Sequence, residues 1–160
     1  MRIAMVCLGN ICRSPMAEAV ARAMVEQAGL EGEVTVESFG TAAYHTSEGA
    51  DPRAEAVLRR RGWPVGAHRA RRIAPEDVEA ADLVLCADRS NVAEVLRIAG
   101  PGTDRDKVRL LRCFDPSSTP EDDEVPDPWY GQAREFDAAL RLIERSCAGL
   151  LEHLGATLPR

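Results

Sequence analysis

"RIAMVCLGNICRSP", Arg2–Pro15, is the stretch from which the rest of the chain can be read. Its first five residues are a compact apolar run, suited to a strand covered on both faces. Ser14 and Pro15 make a helix start, with serine as N-cap and proline in the first helical position. The following "SPMAEAVARAMVEQAG" carries Met16, Val20, Ala23 and Met24 at helical spacing, and Gly29 is a natural stop. A cysteine therefore ends a strand and an arginine, Arg13, stands six positions later. A structural cysteine wants apolar neighbours, whereas Cys7 opens a loop of potential anion ligands.

Beyond this unit the chain alternates. "EVTVES" (33–38) reads as a strand and "DPRAEAVLRRRG" (51–62) as a helix with an Asp-Pro start and a glycine end. "ADLVLCA" (81–87) is a buried-type strand, followed by a helix over Ser90–Ala99 and a short strand "KVRLL" (107–111). From Gln132 to Leu154 an apolar helical face runs through Phe136, Leu140, Ile143, Cys147, Leu150 and Leu154. Strand–helix alternation predicts an α/β fold with a parallel sheet and right-handed crossovers. Ligands of such sheets bind at the carboxyl ends of strands, where Cys7 falls.

A chain of 160 residues is expected to form one domain, residues 1–160. With 45 % hydrophobic and 29 % charged residues it has the composition of a soluble globular protein. The net charge of −6 argues against nucleic acid or an anionic membrane as partner. Lys107 is the sole lysine, so arginine carries nearly all positive charge, most of it expected on a solvated surface. The five cysteines are odd in number and contain no C-x-x-C, which speaks against a disulfide framework or a zinc site. No signal-peptide or membrane-spanning pattern occurs, and a cytoplasmic location is the expectation.

A loop curled at a helix N-terminus points backbone N–H groups inward, and the helix adds partial positive charge. Residues Leu8, Gly9, Asn10, Ile11, Cys12, Arg13 and Ser14 are expected to cradle a tetrahedral oxyanion in this way. Gly9 and Asn10 tolerate the positive φ that a tight curl demands, and Arg13 can fork two N–H bonds onto two oxygens. In such a cup the thiol of Cys7 should ionise readily, poised for in-line attack on phosphorus. Ser14 can donate a hydrogen bond to the sulfur and help it leave. Expelling a phenolate also needs an acid across the pocket. The stretch 115–131 offers Asp115, Glu121, Asp122, Asp123, Glu124 and Asp127; Asp127 has the best physical case, stiffened by prolines on both sides and followed by aromatics.

"CLGNICRSP" resembles the active-site loop of the low-molecular-weight protein tyrosine phosphatases. The similarity continues through "SFGTAAYH" (38–45), "DPRA" (51–54), "LCADRSN" (85–91) and "DPWYG" (127–131), nearly the whole chain. The resemblance implies a flavodoxin-like, doubly wound three-layer sandwich: a four-stranded parallel sheet of order 2-1-3-4 with helices on both faces. It implies Cys7 as nucleophile, Arg13 as phosphate ligand, Asp127 as general acid, and Ile11, Tyr44, Trp129 and Tyr130 as the substrate pocket. Asn10, Ser14, Ser38 and His68 would hold the loop in shape, with Asp88 tethering it near Arg13. Cys12 is a candidate for a reversible disulfide with Cys7; Cys86, Cys113 and Cys147 read as core, and His45 and His153 as ordinary surface. Tyr44 stands where tryptophan is frequent, Trp129 where tyrosine is, and Phe39 where a small residue is usual. The implied partners are phosphotyrosine-containing proteins, with inorganic phosphate or other oxyanions as inhibitors. No cofactor and no metal is implied, and a monomer or weak dimer is expected.

Three alternatives stand beside this reading. Arsenate reductases of the same fold need two further relay cysteines, and the segment after Cys86 offers none. Arginine phosphatases of the family are expected to carry threonine where Ile11 stands. A non-catalytic phosphotyrosine-binding module would be expected to lose Cys7 or Asp127, and both are present.

Overall fold

Alternate residues of the first strand enter opposite cores. In β1 (Arg2–Cys7), Ile3, Met5 and Cys7 pack on one side of the sheet and Ala4 and Val6 on the other, the period of two that a strand imposes. The computed structural model describes residues 1–158. Within them β1 pairs with β2 (Thr35–Gly40) and β3 (Leu83–Cys86), and β4 (Val108–Leu110) pairs with β3. All pairings are parallel and the order is β2-β1-β3-β4, as the family resemblance implies.

Helices cover both faces. The larger core joins β1 to α1 (Arg13–Gln27), α2 (Pro52–Arg60) and α5 (Ala133–Thr157). The smaller joins it to α3 (Pro75–Ala80) and α4 (Arg89–Ala99) through Val78, Val84, Cys86, Val95 and Val108. Along α5 the expected stripe of Phe136, Leu140, Ile143, Cys147, Leu150 and Leu154 is wholly buried. Each large apolar side chain there contributes about 1.5–3 kcal/mol. An exposed pair such as Arg141–Asp137 adds only about 0.3–0.5, so packing, not surface charge, holds α5 in place.

Several boundaries differ from the expectation. β2 starts two residues late, because the amides of Glu33 and Val34 turn back onto the Leu30 carbonyl. It runs on to Gly40, where a Cβ would lie 2.7 Å from the Leu8 carbonyl oxygen, so only glycine permits this approach. α3 was not anticipated: it is one short turn with a single buried residue, Val78, too little to show a period. Ser14 is not the N-cap of α1. Cys12 occupies that position and Ser14 lies inside the first turn, its hydroxyl engaged elsewhere. Cys113 is not core but exposed, on a 3-10 turn (Leu111–Phe114) after β4. Among the arginines expected mostly on a solvated surface, Arg112 is an exception, buried at 1 % exposure.

Candidate active site

The loop between β1 and α1 is held from outside by its carbonyls. Those of Cys7 and Leu8 accept from the amides of Thr41 and Ala42, that of Ile11 from Asp51, and that of Asn10 contacts His68 Nε2 at 2.7 Å. With the oxygens turned outward, the peptide N–H groups turn into the cup. Asn10 supplies the left-handed residue, φ 57°. Gly9 does not: its lack of a side chain serves His45, whose Cδ2 would stand 3.0 Å from a Cβ there.

Asn10 is fully used. Its Nδ2 donates to Ser14 Oγ (2.8 Å) and Ser38 Oγ (3.0 Å), and its Oδ1 accepts from the Arg71 amide (3.0 Å). Ser38 in turn donates to Glu18, a residue sequence reasoning missed. Ser14 Oγ has one hydrogen, within reach of Cys7 Sγ (3.0 Å) and the Phe39 carbonyl (3.2 Å). An ionised sulfur can only accept, so that charge state draws the hydrogen to Cys7.

The N-terminus of α1 stands apart from the other helices. Asp51, Asp77, Asp88 and Glu135 each place a carboxylate on the first turn of α2, α3, α4 and α5. α1 has no side-chain cap and no acid in its first turn. Its positive end is thus left to a ligand.

Arg13 is 3 % exposed. Its Nη1 donates to Asp88 Oδ2 (2.7 Å) and to the Val125 carbonyl (2.9 Å), and its Nη2 lies 3.6 Å from Asp127 Oδ2. Burial alone would pull the guanidinium down, but the negative groups at Cys7, Asp88 and Asp127 outweigh it and hold the pKa above its ordinary value. Asp88 serves twice, as this tether and as the N-cap of α4, where Oδ1 accepts from the Asn91 amide at 2.8 Å. Desolvation, followed by Asp51, Cys7 and Asp127, pushes the Cys12 thiol far up, so it stays neutral beside Cys7. Burial likewise pushes Cys147 up to about 12.

A cleft of about 330 Å³ opens over Cys7, Ile11, Cys12 and Arg13, with Asp127 at its side. Two larger depressions, of about 860 and 450 Å³, border α1, and neither is lined by a cysteine. Among the acids between Asp115 and Asp127 only Asp127 lines the cleft. Its Oδ1 accepts from the Trp129 amide at 3.2 Å, and its side chain is 39 % exposed. Trp129 and Tyr44 line the cleft, Tyr44 mostly exposed; Tyr130 reaches the rim but stands almost wholly in solvent, edge-on to Trp129 at 4.9 Å. His45, expected on the surface, also lines the cleft, tied through Nδ1 to Glu48. Asp51 and Arg53 form a brace: the Asp51 amide holds the Ile11 carbonyl, while Arg53 grips Asp51, donates to the Gly131 carbonyl (3.0 Å) and stacks on Phe136 at 4.6 Å. "DPRA" was the signal for this brace. Among the described residues no trio of His, Cys, Asp or Glu is arranged to hold a metal ion, and no helix is long and apolar enough to cross a membrane.

A buried cysteine and arginine at an uncapped helix start, with a carboxylate and aromatics lining the same cleft, make an α/β protein whose site suits an oxyanion. The sequence profile described as low molecular weight phosphotyrosine protein phosphatase matches residues 2–160. The chain belongs to that family. It is 46 % identical over 150 residues to the low molecular weight protein-tyrosine-phosphatase of Streptomyces coelicolor, covering 94 % of this chain and 91 % of that one. The crystal structure of a protein tyrosine phosphatase from Entamoeba histolytica superposes with a TM-score of 0.90 at 32 % identity, over 98 % and 97 % of the two chains. The YwlE arginine phosphatase, solved as a C7S mutant with a phosphorylated active-site serine, gives 0.86 at 30 % identity over 98 % and 97 %.

Proposed function

We propose that the protein hydrolyses phosphotyrosine in protein substrates, and small aryl phosphates, through a phosphocysteine intermediate and without a metal. One observation carries this reading: Cys7 Sγ, 3.0 Å from the Ser14 hydroxyl, lies at the floor of an aromatic-walled cleft that also holds Asp127. The Cys7 thiolate attacks phosphorus as the bond to the aryl oxygen breaks, and Asp127 gives its proton to the departing phenolate. Asp127, now ionised, takes a proton from water; the resulting hydroxide attacks phosphorus, the P–S bond breaks, and Ser14 donates to the returning thiolate. Arg13 and the loop N–H groups from Leu8 to Ser14 meet the charge on the equatorial oxygens, the term that is usually the largest.

Walls formed by Tyr44 and Trp129 suit a flat ring, and the short side chain of phosphoserine would leave its phosphate above the sulfur. Inorganic phosphate inhibits by occupying the same cup. The structural likeness to an arginine phosphatase supports a second reading, against which stands Ile11, an apolar residue lining the cleft where a guanidinium would need polar company. Turnover of an aryl phosphate, a phosphotyrosine peptide, phosphoarginine and arsenate, with EDTA present, tests the proposal. The aryl and tyrosine esters should turn over fastest, and quenched reactions should yield phosphate on Cys7. Label on another residue would refute the mechanism; faster phosphoarginine turnover would move the protein to the second reading.

A further inference from the structure

Arg112 is among the largest fully buried side chains, 1 % exposed, and it lies outside the cleft. Its Nε donates to Asp115 Oδ2 (3.1 Å), and its Nη1 donates to Asp122 Oδ1 (2.6 Å) and the Glu124 carbonyl (3.0 Å). The next carbonyl along, that of Val125, accepts from Arg13 Nη1, and the Val125 amide donates to the Ala87 carbonyl at 2.8 Å. Two buried guanidinium groups therefore grip consecutive carbonyls, and Asp127 follows two residues later. Past it, the next tie is Arg53 on the Gly131 carbonyl. Asp127 is thus suspended between fixed points, with the paired ties at Glu124 and Val125 on its amino side and Arg53 on its carboxyl side. We infer that Arg112 is a positioning residue for the acid step, holding Asp127 at its distance from Cys7 and Arg13 without touching substrate. The inference rests on the proposed role of Asp127.

A purely structural charge pair would do no more than stabilise the fold, so the test needs a kinetic signature. Arg112→Lys keeps the charge near Asp115 but loses the planar fork that also reaches the Glu124 carbonyl. It should lower kcat for phenyl phosphates with poor leaving groups about tenfold, against a general-acid contribution of about 10²–10⁴. The loss should be smaller for activated leaving groups, the alkaline limb of the pH–kcat profile, where the acid loses its proton, should shift, and the inhibition constant of inorganic phosphate should be unchanged. Arg145→Ala is the control: it removes another partner of Asp115 (3.3 Å), on the exposed side of the cluster, without touching Glu124. It should lower stability and leave kcat as in the parent. Should Arg112→Lys fail to fold, Arg112→Gln combined with Asp115→Asn removes both buried charges together and should give the same signature. Asp127→Ala separates the two levels. If it shows the leaving-group dependence and the Arg112 variants do not, this inference is wrong; if it shows none, the acid assignment and the inference fall together. Equal losses for all leaving groups, or kinetics in Arg112→Lys matching Arg145→Ala, likewise overturn the positioning role.

Discussion

Replacing Asp88 by Asn sets two jobs of one carboxylate against each other. Oδ1 caps α4 at the Asn91 amide, 2.8 Å away, while Oδ2 holds Arg13 Nη1 at 2.7 Å. Asparagine has one acceptor oxygen. If it caps the helix, its NH2 faces a buried guanidinium, donor against donor; if it accepts from Arg13, the helix loses its cap. The first outcome forfeits a charge-assisted bond worth about 1.5–3 kcal/mol, and the second about 1 kcal/mol. The cap is the cheaper loss, so Asp88→Asn should turn its oxygen to Arg13 and give up the cap. Stability should fall by at least about 1 kcal/mol, with kcat/KM reduced less than tenfold. Asp88→Ala loses both contacts, and stability should fall by about 2.5–4 kcal/mol. The Arg13 part alone, if fully expressed in the transition state, lowers kcat/KM by about 10- to 150-fold. Urea denaturation gives the first quantity and steady-state hydrolysis of an aryl phosphate the second. Equal stability and equal activity in the two variants would refute the claim that this one side chain serves both ends.

Cys7→Ser should abolish turnover while phosphate still binds, checked by calorimetry; retained turnover contradicts the nucleophile. Gly40→Ala drives a Cβ to 2.7 Å from the Leu8 carbonyl oxygen, so the loop must shift, and the phosphate inhibition constant should rise more than stability falls. Phe136→Ala opens a cavity in the larger core and removes the ring under Arg53, costing about 3–5 kcal/mol by chemical denaturation. The pKa of Asp115 is depressed: burial opposes ionisation, but the Ser117 amide, Arg145 and Arg112 outweigh it. A depressed carboxylate stabilises above its unfolded value and loses that contribution as pH falls through the folded one. The stability gap between the parent and Asp115→Asn should therefore be full at neutral pH and close only below about 3.8; a gap independent of pH down to acid unfolding would remove the ion pair from the account.

What was legible in the sequence was what has a local cause. Strand β1, the Gly29 and Gly62 stops, and the stripe of α5 follow from periodicity and backbone freedom within a few residues. Cys7, Arg13 and Asp127, which the fold brings to one cleft, were singled out because their neighbours, a curl before a helix and a proline-stiffened turn, announce them. Ser14 was read as a cap since Ser-Pro ordinarily is one; only the fold brings Cys7 and Asn10 close enough to claim its hydroxyl. Glu18, His45 and Arg112 were missed for the same reason. What gives each its place lies elsewhere in the chain, Ser38 for Glu18, the cleft shared with Trp129 for His45 and the Glu124 carbonyl for Arg112, and a lone glutamate, histidine or arginine carries no mark of the company it will keep.

The unguarded amino end of α1 has a consequence for the resting molecule. Every other α-helix among the described residues brings its own counter-charge, whereas this one leaves its positive end open to whatever occupies the pocket. Inorganic phosphate should then act as a thermal stabiliser, by about 2.7 kcal/mol at a hundredfold excess over its dissociation constant. On the proposed mechanism product and fold are linked: the anion expected to slow turnover is also the one expected to make the enzyme hardest to melt.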